Sequence, residues 1–227
     1  MFLQLVEALK LSESFKMTIR AILFDHDGTL VDSYEGIAKS LQLTCKDIDK
    51  PTLNQDEILA SIGPTLETRF MELWGEEIGA KAVPIYRKHY KQHFIDGTKI
   101  LPKVESTILS LKSRKYLLGC VTNKTYLYAK EQLIHFNLFD KMEVVYGNLQ
   151  GFKPKPDPEM IEEALRKLKV SREETILVGD TPIDILAAKA SGIQSWAILG
   201  KYASRESIEN ADPDKLLFKF DEILNLL

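Results

Sequence analysis

The segment Phe24-Asp25-His26-Asp27-Gly28-Thr29-Leu30-Val31-Asp32-Ser33 decides the fold. It ends an apolar, partly β-branched run at 19–24, so two carboxylates stand directly after a predicted strand. In an open α/β sheet, ligands bind beyond the carboxyl ends of the strands, which is where Asp25 and Asp27 would sit. Gly28 lets the backbone approach a ligand closely because it carries no Cβ. An isolated Asp-Gly pair would equally serve a plain surface turn, but the whole string is too specific for that.

Working outward, further apolar runs lie at 117–121, 144–146, 175–178 and 195–199. Helical patterns fall between them at 104–112, 126–135, 158–168 and 183–190. This alternation predicts an α/β fold, a Rossmann-like doubly wound parallel sheet with helices on both faces. Pro182 suits a first helical turn, and Gly192 a helix stop. From Tyr34 to about Thr98 the alternation breaks. Helical stretches at 58–61, 66–74 and 83–94 there predict a second, smaller all-helical cap domain. The expected division is an N-terminal amphipathic extension at 1–16, an α/β core at 17–32 and 101–227, and a cap at 33–100. Asp32-Ser33 and Gly97-Thr98 are the expected linkers. Phe2, Leu5, Val6 and Leu9 give the extension its helical spacing. It either docks on the core, meets a partner subunit or membrane surface, or is dispensable, since Met17 directly precedes the first strand.

Composition removes several function classes. A net charge of -3 argues against a nucleic-acid binder, which needs a basic surface. No apolar stretch approaches the ~20 residues that span a bilayer, and no secretory signal opens the chain. Cys45 and Cys120 match no zinc or redox spacing, and Cys120 lies in an apolar run that suits a buried thiol. The expected setting is cytoplasmic, as a monomer or homodimer without nucleic-acid or membrane partners.

Three other strand ends carry chemistry. In Val121-Thr122-Asn123-Lys124, a hydroxyl and nearby backbone N–H groups can bind phosphate oxygens, although Thr122 or Asn123 could also cap a helix. Asn123-Lys124-Thr125 also reads as a glycosylation sequon, which no secretory signal supports. In Gly151-Phe152-Lys153-Pro154-Lys155-Pro156-Asp157-Pro158, prolines at alternate positions stiffen the chain and would hold a lysine ammonium; a solvated turn fits the same residues. In Val178-Gly179-Asp180-Thr181-Pro182-Ile183-Asp184, two acids four apart are hard oxygen ligands of the kind Mg²⁺ accepts, or charges favouring a helix start.

Taken in order, these motifs resemble the haloacid dehalogenase superfamily over 17–227, and within it phosphoglycolate-phosphatase-like members with a helical cap. The resemblance implies a phosphatase in which Asp25 is the nucleophile that forms an aspartyl-phosphate and Asp27 the acid and base. It implies phosphate binding by Gly28, Thr122, Asn123 and Lys153. The pattern Lys-Pro-x-Pro-x-Pro begins at Lys153, with Lys155 the alternative. It also implies Mg²⁺ held by Asp25, the Asp27 carbonyl and Asp180, with Asp184 in support. Asp27 narrows the chemistry, because an ester leaving group needs a proton and a halide does not. The implied substrate is a small phosphorylated metabolite, such as phosphoglycolate, a nucleotide or a sugar phosphate.

Within the cap, Ile62-Gly63-Pro64-Thr65-Leu66 resembles a loop of the same relatives. Thr65 and Arg69 are candidates for an anionic substrate tail, and His26 for the pocket lining. His89 and His93 stand four apart, a spacing that can share a metal but suits an amphipathic surface better. Leu101-Pro102-Lys103-Val104 departs from the Pro-Gly that often follows the cap. The alternatives are a pyrophosphatase or phosphosugar mutase on the same frame and, in another class, a receiver-like phospho-aspartate module, against which Asp27 and the cap both argue.

Overall fold

The computed structural model describes residues 18–227. The extension at 1–16, with its predicted helix, lies outside the described residues. Strand β1 (Ala21–Phe24) is buried along its whole length. Ile22 and Phe24 enter one apolar cluster, while Leu23 enters another on the opposite face. Such a strand reads as an unbroken apolar run because neither face meets water.

β1 pairs in parallel with β4 (Leu117–Thr125) on one side and β6 (Thr175–Gly179) on the other. β5 (Val144–Asn148), β7 (Gln194–Ile198) and β8 (Lys215–Leu217) complete a six-stranded sheet ordered β5-β4-β1-β6-β7-β8. The chain fills one side of β1, then returns to fill the other. That reversal opens a crevice at the carboxyl ends of β4, β1 and β6. In register, Phe24 stands opposite both Cys120 and Val178, which aligns Asp25, Thr122 and Asp180 along one edge.

The helices cover both faces. From α4 (Val104–Ser113), Val104, Ile108 and Leu111 pack with Ile22 and Phe24. From α6 (Glu159–Leu168) and α7 (Pro182–Ser191), Met160, Ile161, Ala187 and Ala188 pack with Leu23 and Leu177. α5 (Tyr126–His135) follows β4, and α8 (Arg205–Asn210) and α9 (Ile223–Leu226) complete the described helices. Strand β8 was not among the expected runs; it has three residues, one a lysine, at the sheet edge.

Between β2 (Val31–Asp32) and β3 (Lys99–Ile100), an antiparallel ribbon, lies the helical insertion. It contains α1 (Tyr34–Asp47), α2 (Gln55–Leu59) and α3 (Leu66–His93). The stretches expected at 66–74 and 83–94 are the two limbs of α3, broken at Gly75, whose φ of 77° and ψ of 170° only glycine adopts readily. The helix expected at 58–61 starts earlier, because Asn54 and Glu57 form a reciprocal capping box ahead of it. Leu41, Cys45, Ile58, Phe70, Tyr86 and Tyr90 give the insertion its own core, which Tyr202 joins from beyond β7. Lys103 occupies a left-handed conformation, φ 66°, at the start of α4, where glycine would be at ease. Both cysteines are free and buried; burial was expected of Cys120. Burial pushes the Cys120 thiol well up, which keeps it unreactive.

Candidate active site

The turn after β1 presents two carboxylates into different surroundings. Gly28 N donates to Val31 O at 2.8 Å, and Leu30 and Val31 N both donate to His26 O. The turn needs φ 84° at Gly28, and a Cβ there would come 2.0 Å from Asp180 Oδ2 and 2.5 Å from Tyr202. Gly28 therefore lies against Asp180 and does not line the cavity over Asp25, contrary to its expected phosphate role.

Asp25 is 5% exposed and accepts from Lys155 Nζ at 2.7 Å. The same ammonium donates to Asp184 Oδ1 at 2.6 Å and to Val121 O at 2.8 Å. The amide of Asn123 fixes this lysine: its Oδ1 accepts from Lys155 N at 2.7 Å, and its Nδ2 donates to Lys155 O at 2.9 Å. Asn123 Nδ2 also donates to Gly63 O in the insertion. Burial would push the Lys155 ammonium down, but Asp184 and Asp25 outweigh it and hold it above the usual lysine range. Burial pushes the Asp25 carboxyl up to about 6, against the pull of Lys155.

This overturns the choice of Lys153. Its side chain is 73% exposed, with Nζ 3.6 Å from Asp157, and its backbone N donates to Glu159. Lys-Pro-x-Pro occurs in two overlapping registers here, at 153 and at 155. The Asn123 amide selects the second by pinning the backbone of Lys155 against the end of β4.

Asp27 is bound differently. Lys124 Nζ donates to both its oxygens at 2.9 Å, Ser33 Oγ donates to Oδ1 at 2.6 Å, and His26 Nδ1 lies 3.2 Å from Oδ1. Burial alone would raise the Asp27 carboxyl, yet Lys124, His26 and Ser33 together hold it well below the carboxylate range. His26 is buried under the turn, off the cavity, and burial pushes its imidazole down. Sequence reasoning gave the side chains of Lys124 and Ser33 no role at the site, although both stand within the quoted motifs.

The carboxylates of Asp25, Asp180 and Asp184 each bring an oxygen within 4.8 Å of the others. Thr29 Oγ1 donates to Asp180 Oδ1 at 3.2 Å, while Asp180 Oδ2 is buried without a partner. Burial and then the charges of Asp184 and Asp25 push Asp180 well up. Thr181 N and Oγ1 hold Asp184 Oδ2. Hard oxygens, an orphaned carboxylate atom and mutual repulsion together fit a divalent cation. Asp27 has its carboxylate committed elsewhere, which leaves its carbonyl as the atom to offer.

Over Asp25 and Asp27 lies a cavity of about 60 Å³. Thr122, Asn123, Lys124 and Asn148 line its floor, and Ile37, Ile62, Gly63, Leu66, Tyr86 and Tyr90 its cap side. Thr122 is 2% exposed, and its oxygen accepts from Lys124 N at 3.2 Å. Thr65 and Arg69 do not reach this cavity. Thr65 caps α3 by accepting from Thr68 N, and Arg69 donates to Ser61 Oγ and Glu57 O while pairing with Glu72. His89 pairs with Asp47 on the surface.

Known proteins share this arrangement of chain. A family model described as haloacid dehalogenase-like hydrolase matches residues 22–198. A phosphoglycolate phosphatase of Aquifex aeolicus is 29% identical over 92% of this chain and 97% of its own. Pyrophosphatase PpaX of Listeria monocytogenes is 33% identical over 92% of this chain and 96% of its own. Among solved structures, a haloacid dehalogenase-like family hydrolase from Streptococcus pneumoniae superposes with a TM-score of 0.86 at 31% identity, covering 92% of this chain and 98% of that one.

Proposed function

The chain belongs to the haloacid dehalogenase-like hydrolase family and is a phosphatase, and from that premise we propose that it hydrolyses a small phosphate ester through an aspartyl-phosphate on Asp25. One observation carries this reading: Asp25 and Asp27 line the same cavity in opposite electrostatic settings, one beside Lys155 and the cation-type acids, the other under Lys124, Ser33 and His26. A nucleophile and its acid/base partner must both reach the reacting ester, and these two carboxylates share the one cavity.

In the first step an Asp25 oxygen bonds phosphorus, the ester P–O bond breaks, and Asp27 gives its proton to the leaving oxygen. The donors around Asp27 oppose its protonated form. The phosphate charge arriving beside it works the other way, by like-charge repulsion. In the second step water attacks phosphorus, Asp27 takes the water proton, and Asp25 is released. Thr122 donates a hydrogen bond to a phosphate oxygen, and the ammonium of Lys155 neutralises phosphate charge. Mg²⁺, held by Asp25, Asp180 and the Asp27 carbonyl with Asp184 behind, would supply further charge neutralisation. The insertion at 33–100 acts as a cap that excludes water and limits substrate size. The small cavity supports a small metabolite, and the buried, unpaired cysteines accord with a cytoplasmic setting.

The test is a panel of phosphate esters and pyrophosphate with Mg²⁺, run on wild type and Asp25→Asn. Phosphate release by wild type and its loss in the variant are expected. No release from any compound would overturn the reading, and equal rates in both proteins would remove Asp25 from its role.

A further inference from the structure

We infer that Lys124 determines specificity, selecting substrates that carry a second negative charge next to the scissile ester. The inference rests on the phosphatase reading above and adds the chemistry of the leaving group. Among the described residues lining the cavity, Lys124 is the one with a cationic side chain. Its ammonium lies 5.0 Å from the centre of the Tyr90 ring and 2.9 Å from both Asp27 oxygens. Its side chain is 6% exposed.

Position follows from contact. Asp27 must touch the leaving oxygen to protonate it, and Lys124 touches Asp27. A charged oxygen two or three bonds beyond the leaving oxygen therefore comes within reach of this ammonium. Among the described residues the remaining cap wall offers no second cation: Ile37, Ile62, Leu66, Tyr86 and Tyr90 dominate it beside Ser61, Gly63 and Pro64, and Arg69 is spent inside the insertion. An apolar and aromatic wall with one fixed ammonium favours a compact anion over a neutral chain, because desolvation strengthens the single charge contact. The ring face keeps the ammonium at the cavity when a substrate draws it from Asp27. The compact anion is a carboxylate or a second phosphate; both present the same charged oxygens.

The experiment uses the full chain with Mg²⁺, comparing wild type, Lys124→Met and Lys124→Arg on 2-phosphoglycolate, pyrophosphate and ethyl phosphate. In wild type, whichever of the first two is faster identifies the anion as carboxylate or phosphate. Lys124→Met should lower kcat/KM for that substrate about ten- to a hundredfold more than for ethyl phosphate, mainly through KM, the size expected for a lost hydrogen bond between charged groups. Lys124→Arg should restore the preference. Equal losses on all three substrates would overturn the inference and leave Lys124 acting on Asp27 alone. Binding of phosphonoacetate against ethylphosphonate, by calorimetry on the same proteins, needs no turnover. A wild-type preference for phosphonoacetate that Lys124→Met abolishes supports the inference even if no ester is cleaved. The same preference persisting in Lys124→Met refutes it.

Discussion

Without the Lys155 ammonium, the carboxylates of Asp25 and Asp184 that it touches at 2.7 and 2.6 Å would face each other with no counter-charge. Removing one partner from a buried ionic group costs about 3–5 kcal/mol. Lys155→Met should lose that much in urea unfolding without metal and should lose phosphatase activity. Lys153→Ala, at an exposed side chain, should change stability by less than about 0.5 kcal/mol and leave activity intact. The reverse pattern would restore Lys153 to the site. The pH response belongs to the same scale. The folded Asp25 value of about 6 lies above its ordinary 3.8, so the folded protein binds this proton more tightly than the unfolded chain. Metal-free stability therefore falls as pH rises from about 4 to about 6. A cation needs the carboxylate form, so the melting-temperature rise produced by Mg²⁺ should grow as pH rises through 6. A rise independent of pH between about 5 and 8 would count against Asp25 as a ligand. At this scale, residues at strand ends were legible, because strand and motif are contiguous in sequence. Lys155 was not, since an amide 32 positions away selects it over Lys153.

Elements were legible where periodicity was strong and vague where a single residue set a boundary. The five longer strands of the sheet and α5 announce themselves by runs and spacing, whereas α2 takes its start from a capping box and β8 is only three residues long. Gly75 is the boundary with the clearest energetic signature. It breaks α3 in a conformation that other residues avoid, and a Cβ there would meet nothing within 4 Å. Gly75→Ala thus isolates backbone strain from packing, and should destabilise by about 1–3 kcal/mol, read from the urea midpoint. An unchanged midpoint would show that the two limbs can join without that conformation.

At the scale of the molecule, the proposed catalytic groups lie at the ends of the sheet strands while much of the cavity wall comes from the insertion, so the cavity exists only while the two are held together. Besides the Asn123–Gly63 hydrogen bond, three sets of contacts among the described residues help to do this. Tyr202 OH donates to Asp32 Oδ1 and accepts from Ser33 N at the stem; the Tyr128 ring packs edge-on against Tyr90 at 5.0 Å; and Gln132 donates to Phe94 O and Thr98 Oγ1 at 2.6 and 2.7 Å. Sequence could not show these, because each joins segments tens of residues apart with no shared pattern. Gln132 is the cleanest to test, being fully buried and bonded only across the boundary. The chain has two tryptophans, Trp74 in the insertion and Trp196 in the sheet, and each reports one side. In Trp74→Phe and Trp196→Phe backgrounds, otherwise wild type, the fluorescence of the remaining tryptophan should coincide with the far-UV circular dichroism of the same protein through the urea transition, as a cooperative molecule requires. Adding Gln132→Leu leaves the Thr98 oxygen without its donor and costs about 1–3 kcal/mol, charged mainly to the junction. In the Trp196→Phe background the Trp74 fluorescence transition should then fall at lower urea than the circular dichroism transition of the same protein. Coincident curves in the variant would mean that the remaining contacts, Asn123 on Gly63 with Tyr128 and Tyr202, bind cap to core without Gln132. Separate curves already without Gln132→Leu would mean that the two units fold independently and that the cap is held over Asp25 by substrate.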